Sequence, residues 1–145
     1  SGDDQKEIIA KIQEYQIDHN RVTVKKVSHE KVAKYLSASD YALATIKPSK
    51  SRKYCSPVKI GEYWASGLPV LIPENIGDDS DIIFENEIGT KLRLNSISES
   101  VKDFLDLVKS KSREEWLEKV RPLAIEHRNF SIIKDNYLKA LKRFD

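Results

Sequence analysis

The chain reads as an α/β domain, a Rossmann-like parallel sheet with flanking helices. Three observations predict this. Segments with helical apolar spacing alternate with apolar runs too short to be helices. Those runs are bounded by Pro, Gly, Ser or Asp, which punctuate strands. And one stretch, Ser56 to Pro73, spells out a helix start, a short helix, a glycine turn and a buried strand in succession.

The elements follow in order. Ile8, Ile9, Ile12, Tyr15 and Gln16 recur at helical spacing, which predicts a helix over Gln5–Ile17. Arg21–Val27 carries alternating valines and predicts a strand. Ser28 then caps a helix over His29–Ser37. Asp40 precedes a strand, Tyr41–Thr45, and a polar loop, Ile46–Cys55, follows. Pro57–Ser66 is the next helix, with Ser56 as N-cap and Pro57 at the first helical position. Gly67 ends it in the left-handed conformation, and Pro69–Ile72 is a buried strand. A short helix is expected over Asp79–Asn86 and a strand over Thr90–Leu94 after Gly89. Three helices close the chain: Ser98–Lys109, Arg113–His127 and Ser131–Phe144. With no strands between them, residues 98–145 are expected to cap the sheet or cross to another domain.

The helix Pro57–Ser66 carries the functional signal. At about 100° per residue, Ile60, Gly61, Trp64, Ala65 and Leu68 share one side. The small Gly61 and Ala65 lie one turn apart there, so that side is expected to approach a sheet closely. Lys59, Glu62 and Ser66 share the other side, with Tyr63 beside them. A packing face therefore opposes a polar stripe, and the stripe begins beside the free amides of a helix N-terminus. Such an end attracts anions, because unpaired N–H donors and the helix dipole point the same way. A phosphate there and a diol one turn along together describe a nucleotide's ribose-phosphate. The plain alternative is a solvated Lys59–Glu62 pair, worth about 0.2–0.5 kcal/mol.

The motif Pro57-Val-Lys-Ile-Gly-Glu-Tyr-Trp-Ala-Ser-Gly-Leu-Pro-Val70 resembles the nucleotide-sugar-binding segment of GT-B glycosyltransferases, most of all the retaining group 1 (GT4) family, where P-x-K/L-x-x-E-A/Y-M-A-x-G-x-P-V is typical. Upstream, Val22–Val27 and Glu30–Ala44 resemble the strand, helix and strand before that motif. Downstream, Ile76–Ile83 with Gly89-Thr-Lys-Leu92 resembles the family's "G-x-x-E-I/L-I … G-x-L-V". Arg128-Asn-Phe-Ser131 and Tyr137-Leu-Lys-Ala-Leu141 resemble its closing helices. The likeness spans roughly Val22 to Phe144.

The resemblance implies the donor-nucleotide half of an enzyme that moves a sugar from a nucleoside diphosphate sugar to a glycan or lipid-linked acceptor. No further cofactor and no metal are implied. Glu62 would accept hydrogen bonds from the ribose hydroxyls. Ser56, Pro57 and the amides of Val58 and Lys59 would lie near the phosphate or donor sugar. Backbone groups at Val27 and Ser28 would contact the base, although Lys25 stands where the family often has glycine. The family usually carries two glutamates with seven residues between them, of which the second matches Glu62 and the first lies upstream. That position is Tyr54, which has no carboxylate, so Tyr54 is the candidate catalytic position and the sugar contact is the one in doubt.

Residues 1–145 form a single domain by length. A GT-B enzyme needs two such domains, and no glycine-bearing first strand is visible. The chain is therefore expected to be a truncated donor domain, inactive alone, whose Ser1-Gly2 resembles a cloning remnant. The acceptor would be held by the absent domain, and an exposed sheet edge invites pairing with a second copy. Composition sets further bounds. A net charge of +2 is too small to point to nucleic acid. No apolar run is long enough to span a membrane, and the full-length protein is expected in the cytoplasm or peripherally at the inner membrane face. The lone Cys55 excludes an internal disulfide framework, and His19, His29 and His127 lack metal-ligand spacing. Asp78, Asp79 and Asp81 are expected to complement a helix N-terminus. The basic loop residues Lys47, Lys50, Arg52 and Lys53 are candidates to face the diphosphate or an anionic acceptor. Two other classes stay open: a degenerate, non-catalytic GT-B-like interaction module, and another nucleotide-binding Rossmann domain such as a dehydrogenase. The latter lacks support from any G-x-G-x-x-G.

Overall fold

The structure, a computed structural model, describes residues 2–142, the side chains of 2–4, 133 and 136 excepted. It falls into two compact units, residues 1–32 and 33–145.

The first unit opens with α1 (Gly2–Glu14). This helix stops short of the expected Ile17 because Gln16 turns left-handed, at φ 52°, and Ile17 N–H reaches back to the Ile12 carbonyl. Asp18 caps a 3-10 turn, His19–Arg21, by accepting from the Asn20 amide. The expected strand Arg21–Val27 is not one. Residues 22–28 form no ladder with any described strand, and the Val24 carbonyl is met by the Gln5 side chain instead. Alternating valines favour extended backbone, but a strand exists only where a neighbour supplies the other half of its hydrogen bonds. Helix α2 (His29–Ser37) begins after Ser28, as expected, and runs on into the second unit.

The second unit holds a three-stranded parallel sheet in the order β1 (Ala42–Leu43), β2 (Val70–Ile72), β3 (Gly89–Lys91). The strands are shorter than the sequence suggests. Each is joined to the next by a helix: α3 (Val58–Ala65) between β1 and β2, and α4 (Asp79–Glu85) between β2 and β3. Alternation sorts the side chains. Ala42, Ala44, Val70 and Ile72 join the core beneath the helices. Leu43 and Leu71 turn to the opposite face, where they line an apolar groove of about 530 Å³ with Val101 and Phe104.

Helices α5 (Ile97–Lys109), α6 (Arg113–Arg128) and α7 (Phe130–Leu141) complete the described chain. Among the described residues α5 lies against the sheet at β3, α6 packs on α3 and shares the buried core with β1 and β2, and α7 follows against α6. Helix α6 begins with a capping box, in which Ser112 and Glu115 satisfy each other's backbone amides. No helix among the described residues is long and apolar enough to cross a membrane.

Candidate functional site

Helix α3 is the element that positions the site. Pro57, at φ −66° and ψ 125°, occupies the N-cap, one residue later than the sequence suggests. Ser56 is therefore outside the helix and caps nothing. Its hydroxyl instead accepts a hydrogen bond from Arg128 Nη1, at the far end of α6. Val58 and Lys59 become the first two helical residues, whose amides have no intrahelical acceptor. The other end closes as a Schellman turn. Leu68 N–H bonds the Tyr63 carbonyl at 3.0 Å and Gly67 N–H the Trp64 carbonyl at 2.9 Å, with Gly67 at φ 68°. Arg113 then donates to the Ser66 and Gly67 carbonyls, at 2.5 and 3.2 Å.

Two arginines of α6 therefore grip the two ends of α3. The approach between the helices is close. A Cβ on Gly67 would lie 2.6 Å from the Leu117 Cα, and one on Gly61 would lie 3.2 Å from the Arg128 Cγ. This corrects the expected role of the small residues. Gly61 makes room for the Arg128 stem rather than for a sheet, and Ala65 is exposed. Ile60, Trp64 and Leu68 are fully buried, as the spacing predicts. Each contributes about 1.5–3 kcal/mol by leaving water. Trp64 carries the Arg128 guanidinium over its ring at 5.5 Å, with the His127 ring inclined to it at 6.2 Å.

The polar stripe lies where the angular argument puts it. Lys59 is exposed, and Glu62, Tyr63 and Ser66 are half-buried. Among the described residues, Glu62 and Lys59 make no ion pair with each other or with any other residue. The i,i+3 pair is thus not formed among the described residues. Burial, and then the Glu62 charge beside it, raises the Tyr63 hydroxyl above its ordinary pKa.

The loop before α3 lies at the carboxyl end of β1. It is anchored from the β2–α4 connection, where Gly77 N–H donates to the Arg52 carbonyl at 2.9 Å. Gly77 is at φ 55°, and a Cβ there would sit 2.2 Å from the Cys55 carbonyl oxygen. Lys47, Lys50, Arg52 and Lys53 are all exposed. Lys50 and Lys53 share a shallow cavity of about 300 Å³ with Ser49 and Asn75. Tyr54 is 86% exposed. Val27 is half-buried and Ser28 exposed, and both belong to the first unit.

One pair was not legible in the sequence. Asp79, in the first turn of α4, is fully buried and bonded through Oδ1 to Arg128 Nη2, 49 residues away. Burial pushes its carboxyl up to about 6 against the pull of Arg128, with Asp78 raising it further and His127 lowering it. Asp79 does stand at a helix start, as expected of the acidic cluster, but its charge is spent on Arg128. The one signal available was Arg128 itself, at the head of the Arg-Asn-Phe-Ser motif.

The chain matches no protein-family model, and comparison with curated proteins and with solved structures finds no similar one.

Proposed function

We propose that this chain supplies the donor-nucleotide half of a GT-B-type glycosyltransferase. In the whole enzyme a sugar passes from a nucleoside diphosphate sugar to a glycan or lipid-linked acceptor held by a second domain. The observation that carries the reading is Glu62. It is half-buried, its carboxylate without ion pair or hydrogen bond among the described residues, one turn in from the free amides of Val58 and Lys59. A carboxylate placed so, beside an anion-attracting helix end, suits a ribose diol and a phosphate. Support also comes from the parallel strands, since open α/β sheets bind ligands at their carboxyl ends. The loop with Lys50 and Lys53 extends from that end of β1.

In this reading Glu62 accepts from the ribose hydroxyls, and the amides of Val58 and Lys59 face the phosphate. Basic loop residues and the helix N-terminus stabilise the leaving diphosphate. The test is calorimetric titration of uridine, guanosine and adenosine diphosphates, free and as sugar conjugates, into the full-length protein. Glu62→Ala is expected to lose about 1.5–3 kcal/mol of affinity. An unchanged affinity removes Glu62 from the site.

Tyr54 favours a second reading, a non-catalytic module that keeps the nucleotide site but not transfer. It stands exposed where the family places a carboxylate. Transfer by the full-length protein, assayed across common donors, separates the two. A full-length protein that binds a donor and transfers nothing is the module.

A further inference from the structure

The buried pair beneath α3 is placed to regulate the helix end it touches. Arg128 reaches Asp79 through Nη2 and Ser56 through Nη1, so one guanidinium ties a core carboxylate to the residue before the N-cap. The tie is incomplete. Asp79 Oδ2 and Arg128 Nε are buried and have no hydrogen-bond partner among the described residues. A buried carboxylate oxygen without a donor is an oxygen poised to take a proton, because protonation removes the charge whose burial is costly.

We propose that Asp79, Arg128 and Ser56 form a proton-operated latch that sets how strongly the N-terminal turn of α3 holds an anion. With Asp79 ionised, the Arg128 charge is matched and the turn offers only its amides and the helix dipole. A proton on Oδ2 leaves the Oδ1 hydrogen bond in place but removes the counter-charge. The guanidinium then adds a full positive charge beside Ser56. Burial places this change near neutrality, at about pH 6. The groups that face Asp79 are Arg128 and His127 on α6 and its neighbour Asp78. The latch rests on the reading of that turn as the phosphate site, and it gives that site a pH dependence.

The test uses sulfate, which stays a dianion throughout the range, added to the full chain at about pH 5 and about pH 7.5 and followed by NMR at the Val58 and Lys59 amides. Wild type is expected to bind roughly three- to tenfold more tightly at the lower pH, the scale of one added charge at partly wet range. Asp79→Asn is neutral throughout and is expected to bind tightly at both. His127→Gln is expected to keep the wild-type dependence. Equal affinity at the two pH values in wild type, or the same dependence in Asp79→Asn, overturns the latch, as does an absence of sulfate binding at either pH. If Asp79→Asn does not fold, carbon NMR of the wild-type Asp79 carboxyl replaces it. A midpoint near 6, shared by the Ser56 amide, supports the latch, and one in the ordinary carboxylate range overturns it. Glu62→Ala separates this from the donor reading. It is expected to keep the ratio of sulfate affinities between the two pH values and to lose nucleotide affinity.

Discussion

Two carboxylates flank the N-terminal half of α3, and they live in opposite conditions. Glu62, on the polar stripe, is half-buried with no ionic partner among the described residues. Asp79, on the core side, is fully buried and bound to Arg128. The first leaves its carboxylate to solvent and, in the proposed reading, to a ligand. The second spends its charge inside the protein, where it holds Ser56 and the α6 C-terminus to the start of α3. The contrast teaches that an acidic residue's sequence neighbours say little about its work. Asp79 sits in a run of aspartates that looks solvated, and Glu62 sits in a helix that looks like core.

Breaking the buried side gives the largest effect. Arg128→Ala strands a buried carboxylate, and an uncompensated charge of this kind costs about 3–5 kcal/mol. Chemical denaturation is expected to show that loss, and Asp79→Asn in the same chain is expected to recover much of it. A loss under 1 kcal/mol makes the pair dispensable. Next is the closing turn of α3. Gly67→Ala needs a left-handed alanine whose Cβ meets the Leu117 backbone at 2.6 Å, so a cost of about 2–3 kcal/mol is expected.

The pH dependence sharpens the same comparison. The folded Asp79 pKa, about 6, lies above its ordinary 3.8, so the folded chain binds this proton more firmly than the unfolded one. Its contribution to stability is fully present below about 3.8 and is lost as pH rises through about 6. Stability of wild type relative to Asp79→Asn should therefore fall by about 1–3 kcal/mol from pH 4 to pH 7. A difference that is flat with pH contradicts the buried assignment. The smallest stability effect belongs to Glu62→Ala. With no partner to lose, it is expected to stay within about 0.5 kcal/mol of wild type.

Much of the fold was legible. The period of Ile60, Trp64 and Leu68 gives the buried face of α3, and Gly67 gives its end. The α2 boundaries, His29 and Ser37, follow from the apolar spacing after Ser28. What failed depended on partners distant in sequence. Residues 22–28 have strand composition but no pairing neighbour among the described strands. Gly61 reads as a sheet contact because nothing local announces that Arg128 crosses it. The candidate site divides the same way. The stripe of Lys59, Glu62 and Ser66 is a local property of one helix and was readable. The latch joins residues 56, 79 and 128 from a loop and two helices, and only folding reveals it.

The most direct measurement is nucleotide binding by the full-length protein, with Glu62→Ala as the matched control. The account predicts saturable binding of a diphosphate of one base. The variant should lose ten- to a hundredfold in affinity, about 1.4–2.8 kcal/mol, with its melting temperature unchanged. Binding of equal strength in both proteins, or binding of no nucleotide by either, contradicts it.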